Sequence, residues 1–266
     1  MRIIEASTIG KSPDDSLCED SIALSDDFAA VIDGATDKTG ALYEGRPGGR
    51  FASEVLCTAV RELPADASGP MAIEVLTERL REAIAGGPAD GPSASIAIYS
   101  RARREIWQVG DVSYSAIAPR LRRPTKKAID TYAAGVRSAL TQALLNGGAQ
   151  VDALRISDPG REAILPLLRE QFRLRNKSGP WSYAALDGDR VPFQKVIIAP
   201  VPDDAKEVII YSDGYPRPAR SLEQAEETLQ RLLEEDPLCI GRLRGTKGWK
   251  PMNRCFDDRA YLRLRP

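Results

Sequence analysis

Two apolar runs in this 266-residue chain stop abruptly at Asp-Gly. Ala29-Ala30-Val31-Ile32 ends in Asp33-Gly34, and Val208-Ile209-Ile210-Tyr211-Ser212 ends in Asp213-Gly214. Phe256-Asp257-Asp258 opens a third strand-like run at Ala260-Tyr261-Leu262, and Cys18-Glu19-Asp20 precedes Ile22-Ala23-Leu24. Runs bounded by turn residues predict a strand at 2–8 and two more within 20–33, parted by Ser25-Asp26-Asp27. After a glycine-rich loop through Gly45, Gly48 and Gly49, apolar residues at helical spacing (Phe51, Val55, Leu56, Val60) predict helices near 50–62 and 71–85. Gly86 to Pro92 breaks the chain, and strands follow at 94–99, 104–109 and 112–118, the last two joined by Gly110-Asp111 as a meander.

From about Thr125 to Asn176 the period becomes helical. Ala128, Tyr132, Val136, Leu140 and Leu144 share one helix face, and a second helix after Asp158-Pro159-Gly160 carries Ile164, Leu167 and Leu168. Strands are predicted again at 182–186 and 191–199 around an Asp187-Gly188 hairpin turn, at 207–212, and at 259–264 after a helix at 221–235. Strand runs interrupted by helix pairs fit an α+β layered sandwich better than a doubly wound parallel sheet. The length favours one elaborated domain over 1–266, with 125–176 as a helical insertion.

Composition narrows the chemistry mostly by exclusion. With 37 Lys plus Arg against 38 Asp plus Glu, no global field argues for nucleic acid or an anionic membrane. No stretch reaches the roughly 20 apolar residues that span a bilayer, and no N-terminal apolar segment has secretory length, so a cytoplasmic protein is expected. The four cysteines (Cys18, Cys57, Cys239, Cys255) form no C-x-x-C pair and read as core thiols. Histidine is absent, which removes the usual general base, the commonest zinc ligand and every histidine-containing triad.

The four strand-end acidic positions carry the remaining chemistry. Gathered on shared sheets, each like-charge pair would cost roughly 4 kcal/mol at an effective dielectric near 20, and such a cluster calls for divalent metal ions. Asp-Gly is also an ordinary turn dipeptide, and Glu19-Asp20 is equally compatible with a solvated pair. Gly10-Lys11-Ser12 looks like the end of a phosphate-binding loop, but Glu5 stands where the first glycine of that motif belongs.

Taken in order, these motifs resemble the metal-dependent protein phosphatase 2C (PPM-type) family over nearly the whole chain. Glu19-Asp20 stands for its first Glu-Asp, and Val31-Ile32-Asp33-Gly34 for its apolar run into Asp-Gly. Ser95-Ile96-Ala97 and Gln108 to Ser113 resemble its central strands. Val208 to Gly214 matches the run into Ser-Asp-Gly, and Asp257-Asp258 the terminal acidic pair. The resemblance implies a four-layer α-β-β-α sandwich of two antiparallel sheets flanked by helices. It also implies a serine/threonine phosphatase with two Mg²⁺ or Mn²⁺ ions that activate water for in-line attack on phosphorus. Asp33 would bridge the ions, Asp213 and Asp257 would complete one site, and Glu19 with the Gly34 carbonyl the other. Asp20 would orient the attacking water, and Asp111 would hold a weaker third ion.

Departures from the family pattern bear on substrate. Asp15 stands where a phosphate-clamping arginine is usual, Ala35 and Thr36 follow the Asp-Gly where histidine is common, and Arg217 replaces an aspartate beyond Asp213. Arg50, Arg217 and Arg173 are the candidate substrate-binding cations, although a loop before a helix and a helix C-terminus are the simpler readings of Arg50 and Arg173. Arg101, Arg103 and Arg104 read as a solvated turn, and Arg120, Arg122, Arg123, Lys126 and Lys127 as a solvated boundary. Three functions remain open: a phosphoprotein phosphatase, a phosphatase for a small phosphorylated metabolite, and a catalytically silent phospho-binding or scaffold protein. Oligomeric state is not legible.

Overall fold

A computed structural model describes residues 1–38, 40–87, 91–116 and 126–266. The basic positions Arg120, Arg122 and Arg123, the end of the strand expected at 112–118, and Thr125 lie outside the described residues. The chain opens with β1 (Arg2–Ile9), β2 (Asp20–Leu24), β3 (Phe28–Gly34), a small ribbon of β4 (Leu42–Tyr43) and β5 (Arg46–Pro47), and helices α1 (Gly48–Arg61) and α2 (Gly69–Ala83). It continues through β6 (Ala94–Ser100), β7 (Glu105–Val109), β8 (Ser113–Ala116), α3 (Ala128–Asn146), α4 (Val151–Ile156) and α5 (Pro159–Glu170). It closes with β9 (Ile197–Pro200), β10 (Val208–Tyr211), α6 (Leu222–Glu235) and β11 (Arg259–Arg265).

The strands form two antiparallel sheets, one in the order β1-β11-β10-β8 and the other β2-β3-β6-β7-β9. Alternation along each strand sorts side chains into three apolar layers. Ala29, Val31, Ala97 and Tyr99 meet Val208, Ile210, Ala260 and Leu262 between the sheets. The intervening Ala30, Ile32, Ile96 and Ile98 pack outward under Leu56, Val60, Leu76 and Leu80 of α1 and α2. On the other side Ile209, Tyr211 and Tyr261 pack under Leu229, Leu232 and Leu233 of α6. Burial on both faces is why these strands read as unbroken apolar runs, a pattern more usual in parallel sheets. The four-layer sandwich is present as expected, and all four cysteines are buried thiols.

Three local expectations are corrected. The strands at 104–109 and 112–118 are not a meander: β7 pairs with β6 and β9, whereas β8 pairs with β10 in the opposite sheet. Gly110, at φ 85°, turns the chain across, and a Cβ there would lie 2.1 Å from Ser95 Oγ. The chain bends at Asp187-Gly188, but the expected hairpin is not formed: 182–186 contributes only isolated bridges and 191–199 yields only β9. The bend is held by Asn176 Nδ2 on Asp187 Oδ1 at 2.9 Å and by Arg81 Nε on the Gly188 carbonyl at 2.8 Å.

The third correction concerns α3. Tyr132, Val136 and Leu140 face outward, and the buried stripe is Ile129, Ala133, Arg137 and Thr141, one position on. The reason is polar anchoring. Arg137 is 1% exposed, and its guanidinium donates to Asp158 (2.9 Å from Nε) and to the carbonyls of Leu238 (2.8 Å), Cys239 (3.0 Å) and Gly245 (3.2 Å). A buried arginine with this many acceptors fixes which face the helix turns inward, because leaving its charge unpaired is far costlier than exposing aliphatic carbon. Trp181 is 45% exposed, with its ring 5.6 Å from Tyr132.

Candidate active site

Antiparallel pairing brings the strand-end carboxylates to one end of the sandwich. Asp213 lies two residues past β10, while Asp111 and Asp257 lie two residues before β8 and β11, and Tyr211 pairs with both Ser113 and Tyr261. In the facing sheet Asp20 pairs with Asp33, which pairs in turn with Ser95. The end of one central strand therefore meets the starts of its two neighbours in each sheet. Asp33, Gly34, Asp111, Asp213 and Asp257 line one cavity of about 160 Å³; Glu19 and Asp20 are buried beside it.

Gly34 is part of β3 rather than a free turn. A Cβ on it would lie 2.2 Å from the Gly49 carbonyl and 2.5 Å from the Glu19 carbonyl, and one on Gly214 would lie 2.1 Å from the Asp258 carbonyl. Both Asp-Gly dipeptides thus serve close backbone approach beside a carboxylate. The Gly34 amide donates to the Glu19 carbonyl at 3.2 Å, which ties the two segments together.

The carboxylates perturb one another. Burial, then Asp20, Asp213, Asp111 and Asp257, hold Asp33 well above the usual carboxylate range. Burial also raises Asp20, helped by Asp258, Asp257 and Asp213 and opposed by the Ser212 hydroxyl. Asp213 is exposed on the cavity wall yet crowded by protein, and burial with Asp257 and Asp111 pushes it up to about 7. For Asp111 and Asp257 burial works upward too, but Lys127 and Lys247 respectively outweigh it and hold them below the usual range.

Those lysines are part of the site. Lys11 Nζ lies 2.7 Å from Asp258 Oδ2 and 3.0 Å from Glu19 Oε2. Lys127 Nζ is 3.1 Å from Asp111 Oδ2, whose partner oxygen accepts from Ser95 Oγ at 2.6 Å, and Lys247 donates to Asp257. Burial lowers the Lys11 and Lys127 pKa values, but the surrounding carboxylates, Asp257 and Asp111 foremost, drive both well above the ordinary lysine range. Thr36 Oγ1 donates to Glu19 Oε2 at 2.5 Å.

The donor set suits a hard divalent cation, being oxygen throughout. Two buried oxygens, Glu19 Oε1 and Asp20 Oδ2, have no partner among the described residues. Among those residues no three acidic or cysteine side chains stand close enough together, as placed, to hold an ion, and ammonium groups are paired with several of the carboxylates.

The proposed cations fall elsewhere. Arg50 donates to the carbonyls of Asp15 (3.2 Å) and Cys18 (3.1 Å) and pairs with Glu54; Arg173 pairs with Glu170 on the surface; Arg217 is exposed. None of the three lines the acidic cavity, whereas Lys38, Arg169, Arg175 and Lys247 do. Lys127, expected to be solvated, is instead held at Asp111, and Lys11 lies among the carboxylates. The sequence signal for these lysines was the demand for counter-charge itself, but Lys11 and Asp258 are 247 residues apart, so no spacing rule names the supplier.

The architecture is that of the PPM-type phosphatases. The PPM Ser-Thr phosphatase MsPP from Mycobacterium smegmatis superposes with a TM-score of 0.51 at 12% identity over 100% of this chain and 99% of that one. The serine/threonine phosphatase PstP/Ppp of Mycobacterium tuberculosis aligns at 15% identity over 99% and 98% of the two chains with a TM-score of 0.49. Stp1 from Staphylococcus aureus aligns at 12% identity over 100% and 95%, also at 0.49. At these identities the likeness to MsPP establishes the fold, and chemistry rests on the site. No protein-family model and no curated protein sequence matches the chain.

Proposed function

We propose that the chain is a metal-dependent phosphomonoester hydrolase. The observation that carries this reading is the convergence of Asp33, Asp213, Asp257 and Asp111 on one cavity, with Glu19 and Asp20 behind it offering buried oxygens that have no partner among the described residues. Asp33, Asp213 and Asp257, with Glu19 and the Gly34 carbonyl, are the groups that would hold two Mg²⁺ or Mn²⁺ ions. Bound there, such ions lower the pKa of water and neutralise phosphoryl oxygens. Lys127 already supplies a positive charge at Asp111, so we assign two ions and no third.

The chain's own groups do the rest. Asp20, held opposite Asp33 by the ladder, positions the carboxylate face. With Asp15 paired to Arg254 on the surface, the substrate phosphate meets Lys38, Lys247, Arg169 and Arg175 across the cavity instead of an arginine at position 15. No histidine is available to protonate the leaving group, so aryl esters should be used faster than alkyl esters. Residues 1–266 act as one such domain in the cytoplasm, with 125–176 as the substrate-facing insertion and a phosphoprotein or a small phosphorylated molecule as substrate.

Hydrolysis of an aryl phosphate with Mn²⁺, with Mg²⁺ or with chelator tests the reading. Metal-dependent turnover that Asp33→Asn and Asp213→Asn both abolish supports it; turnover surviving in chelator, or in either variant, sinks it. A second reading has a specific observation behind it, since Lys11 and Lys247 sit on Glu19 and Asp257, carboxylates a metal would use. In that reading the chain binds phosphorylated partners without turnover, and the expected result is phosphopeptide binding with no hydrolysis in excess Mn²⁺.

A further inference from the structure

A second cavity, of about 280 Å³, adjoins the acidic one and carries the opposite charge. Among the described residues six cations line it, Lys11, Lys38, Arg155, Arg161, Lys247 and Lys250, against one carboxylate, Asp158. Asp158 is already engaged, bonded to Arg137 and capping α5 through the Arg161 amide at 2.9 Å. Lys11 and Lys247 lean toward the acidic cluster. Lys38, Arg155 and Arg161 rest on carbonyls that orient them without neutralising them. Lys38 donates to the Thr36 carbonyl, Arg161 Nη1 to the Thr246 carbonyl at 2.7 Å, and Arg155 Nε to the Trp249 carbonyl at 3.2 Å. The Arg155 guanidinium also stacks 4.5 Å from the Trp249 ring centroid, while its acidic neighbour Asp152 is 88% exposed and 3.7 Å away.

Cations gathered this closely repel one another. Burial, then Lys247 and Arg161, push Lys38 down to about 8, and burial with Arg137 holds Arg161 below its ordinary value against the pull of Asp158. Planar guanidiniums pre-oriented by carbonyls and a ring are suited to a phosphate. The two cavities share Thr36, Lys38, Thr246 and Lys247 as a common wall. One anionic molecule can therefore enter both.

We propose that the basic cavity is a subsite for a second phosphate of the substrate, gripped by Arg155, Arg161 and Lys250, while the phosphate to be hydrolysed lies over Asp33, Asp213 and Asp257. The anion site stands by itself; its role as a substrate subsite rests on the hydrolase reading. The substrate class is then a molecule with two phosphates separated by a short spacer, and the preference is built into the wall between the cavities.

Calorimetry of the whole chain in chelator, with pyrophosphate as probe, separates the two claims. Without metal the acidic cavity repels anions, so wild type should bind one pyrophosphate. Arg155→Gln should weaken binding at least tenfold, and the exposed Lys250→Gln, which leaves folding intact, about threefold. No binding by wild type, or equal binding by both variants, overturns the anion site. In Mn²⁺ a small sugar bisphosphate should be used at least tenfold better in kcat/KM than its monophosphate, with that ratio collapsing in Arg155→Gln; equal use overturns the subsite role. A doubly phosphorylated peptide preferred over both would place the same chemistry on a protein substrate. Pyrophosphate binding with no turnover of any ester would overturn the hydrolase reading and the subsite role while leaving the anion site standing.

Discussion

The acidic and basic walls of this molecule face each other across Lys38 and Lys247, yet they are built on opposite principles. The carboxylates stand one or two residues from strand ends in paired sheets, so ladder register alone fixes their spacing. The cations come from the bend at Lys11, from α4 and α5, and from the loop after α6, and no ladder relates those segments. They are located by Arg137, buried against four acceptors, and by single bonds to carbonyls such as Thr246 and Trp249. One wall inherits rigidity from the sheets, and the other depends on a few polar anchors that the same chain must supply.

The strongest way to break this contrast is on the acidic wall. Asp33→Asn leaves the β2–β3 ladder in place but removes the charge at the centre of the cluster, and aryl phosphate turnover in Mn²⁺ should fall by about a thousandfold or more, since a metal site contributes several kcal/mol to such reactions. On the basic wall Arg137→Leu should cost about 3–5 kcal/mol in urea denaturation by leaving Asp158 without its counter-charge and three carbonyls without their donor. Arg137→Lys should recover little, because an ammonium cannot reproduce the planar fork. Comparable losses from Arg137→Leu and from an exposed control such as Arg79→Leu would remove the anchor from the account.

A smaller effect tests the sheet side alone. Gly34→Ala drives a methyl into the Gly49 and Glu19 carbonyls, which are backbone and cannot swing aside. We expect a loss of about 3 kcal/mol, at the upper end of overpacking costs, read as a fall in melting temperature. A variant as stable as wild type would show that the close approach at Gly34 is not a structural requirement.

The same contrast explains what the sequence disclosed. Ala29 to Ile32 and Val208 to Tyr211 were readable because both faces of a sandwiched strand are apolar, and the Asp that follows each run inherits its position from the strand. The crossing at Gly110 was not readable, since a glycine with positive φ marks a hairpin and a change of sheet alike. Nor was the buried face of α3, where Tyr132, Val136 and Leu140 form the more apolar stripe but Arg137 dictates the docking. Arg50 and Arg217 lie near the Asp-Gly runs in sequence and Arg173 ends the insertion, but none of them lines the acidic cavity. Lys11, Lys38, Lys127 and Lys247 are positioned by contacts that only the tertiary fold creates.

The last prediction isolates one cation of the basic wall. Lys38 is held down to about 8 against an ordinary value of 10.5, so between those pH values the unfolded chain keeps a proton that the native chain has released. Stability must then rise with pH across that window, by at most about 1.4 kcal/mol per unit. Below pH 8 both states are protonated and the slope vanishes. Buried groups such as Tyr211 and Cys239, both pushed up to about 12, tilt the curve the other way at higher pH, so the informative quantity is wild type minus Lys38→Met. That difference should climb from pH 8 to 10, and pyrophosphate affinity in chelator should decline over the same range as the ammonium is lost. Parallel stability curves for the two proteins would mean that Lys38 stays charged, and that the basic wall is better compensated than its lining indicates.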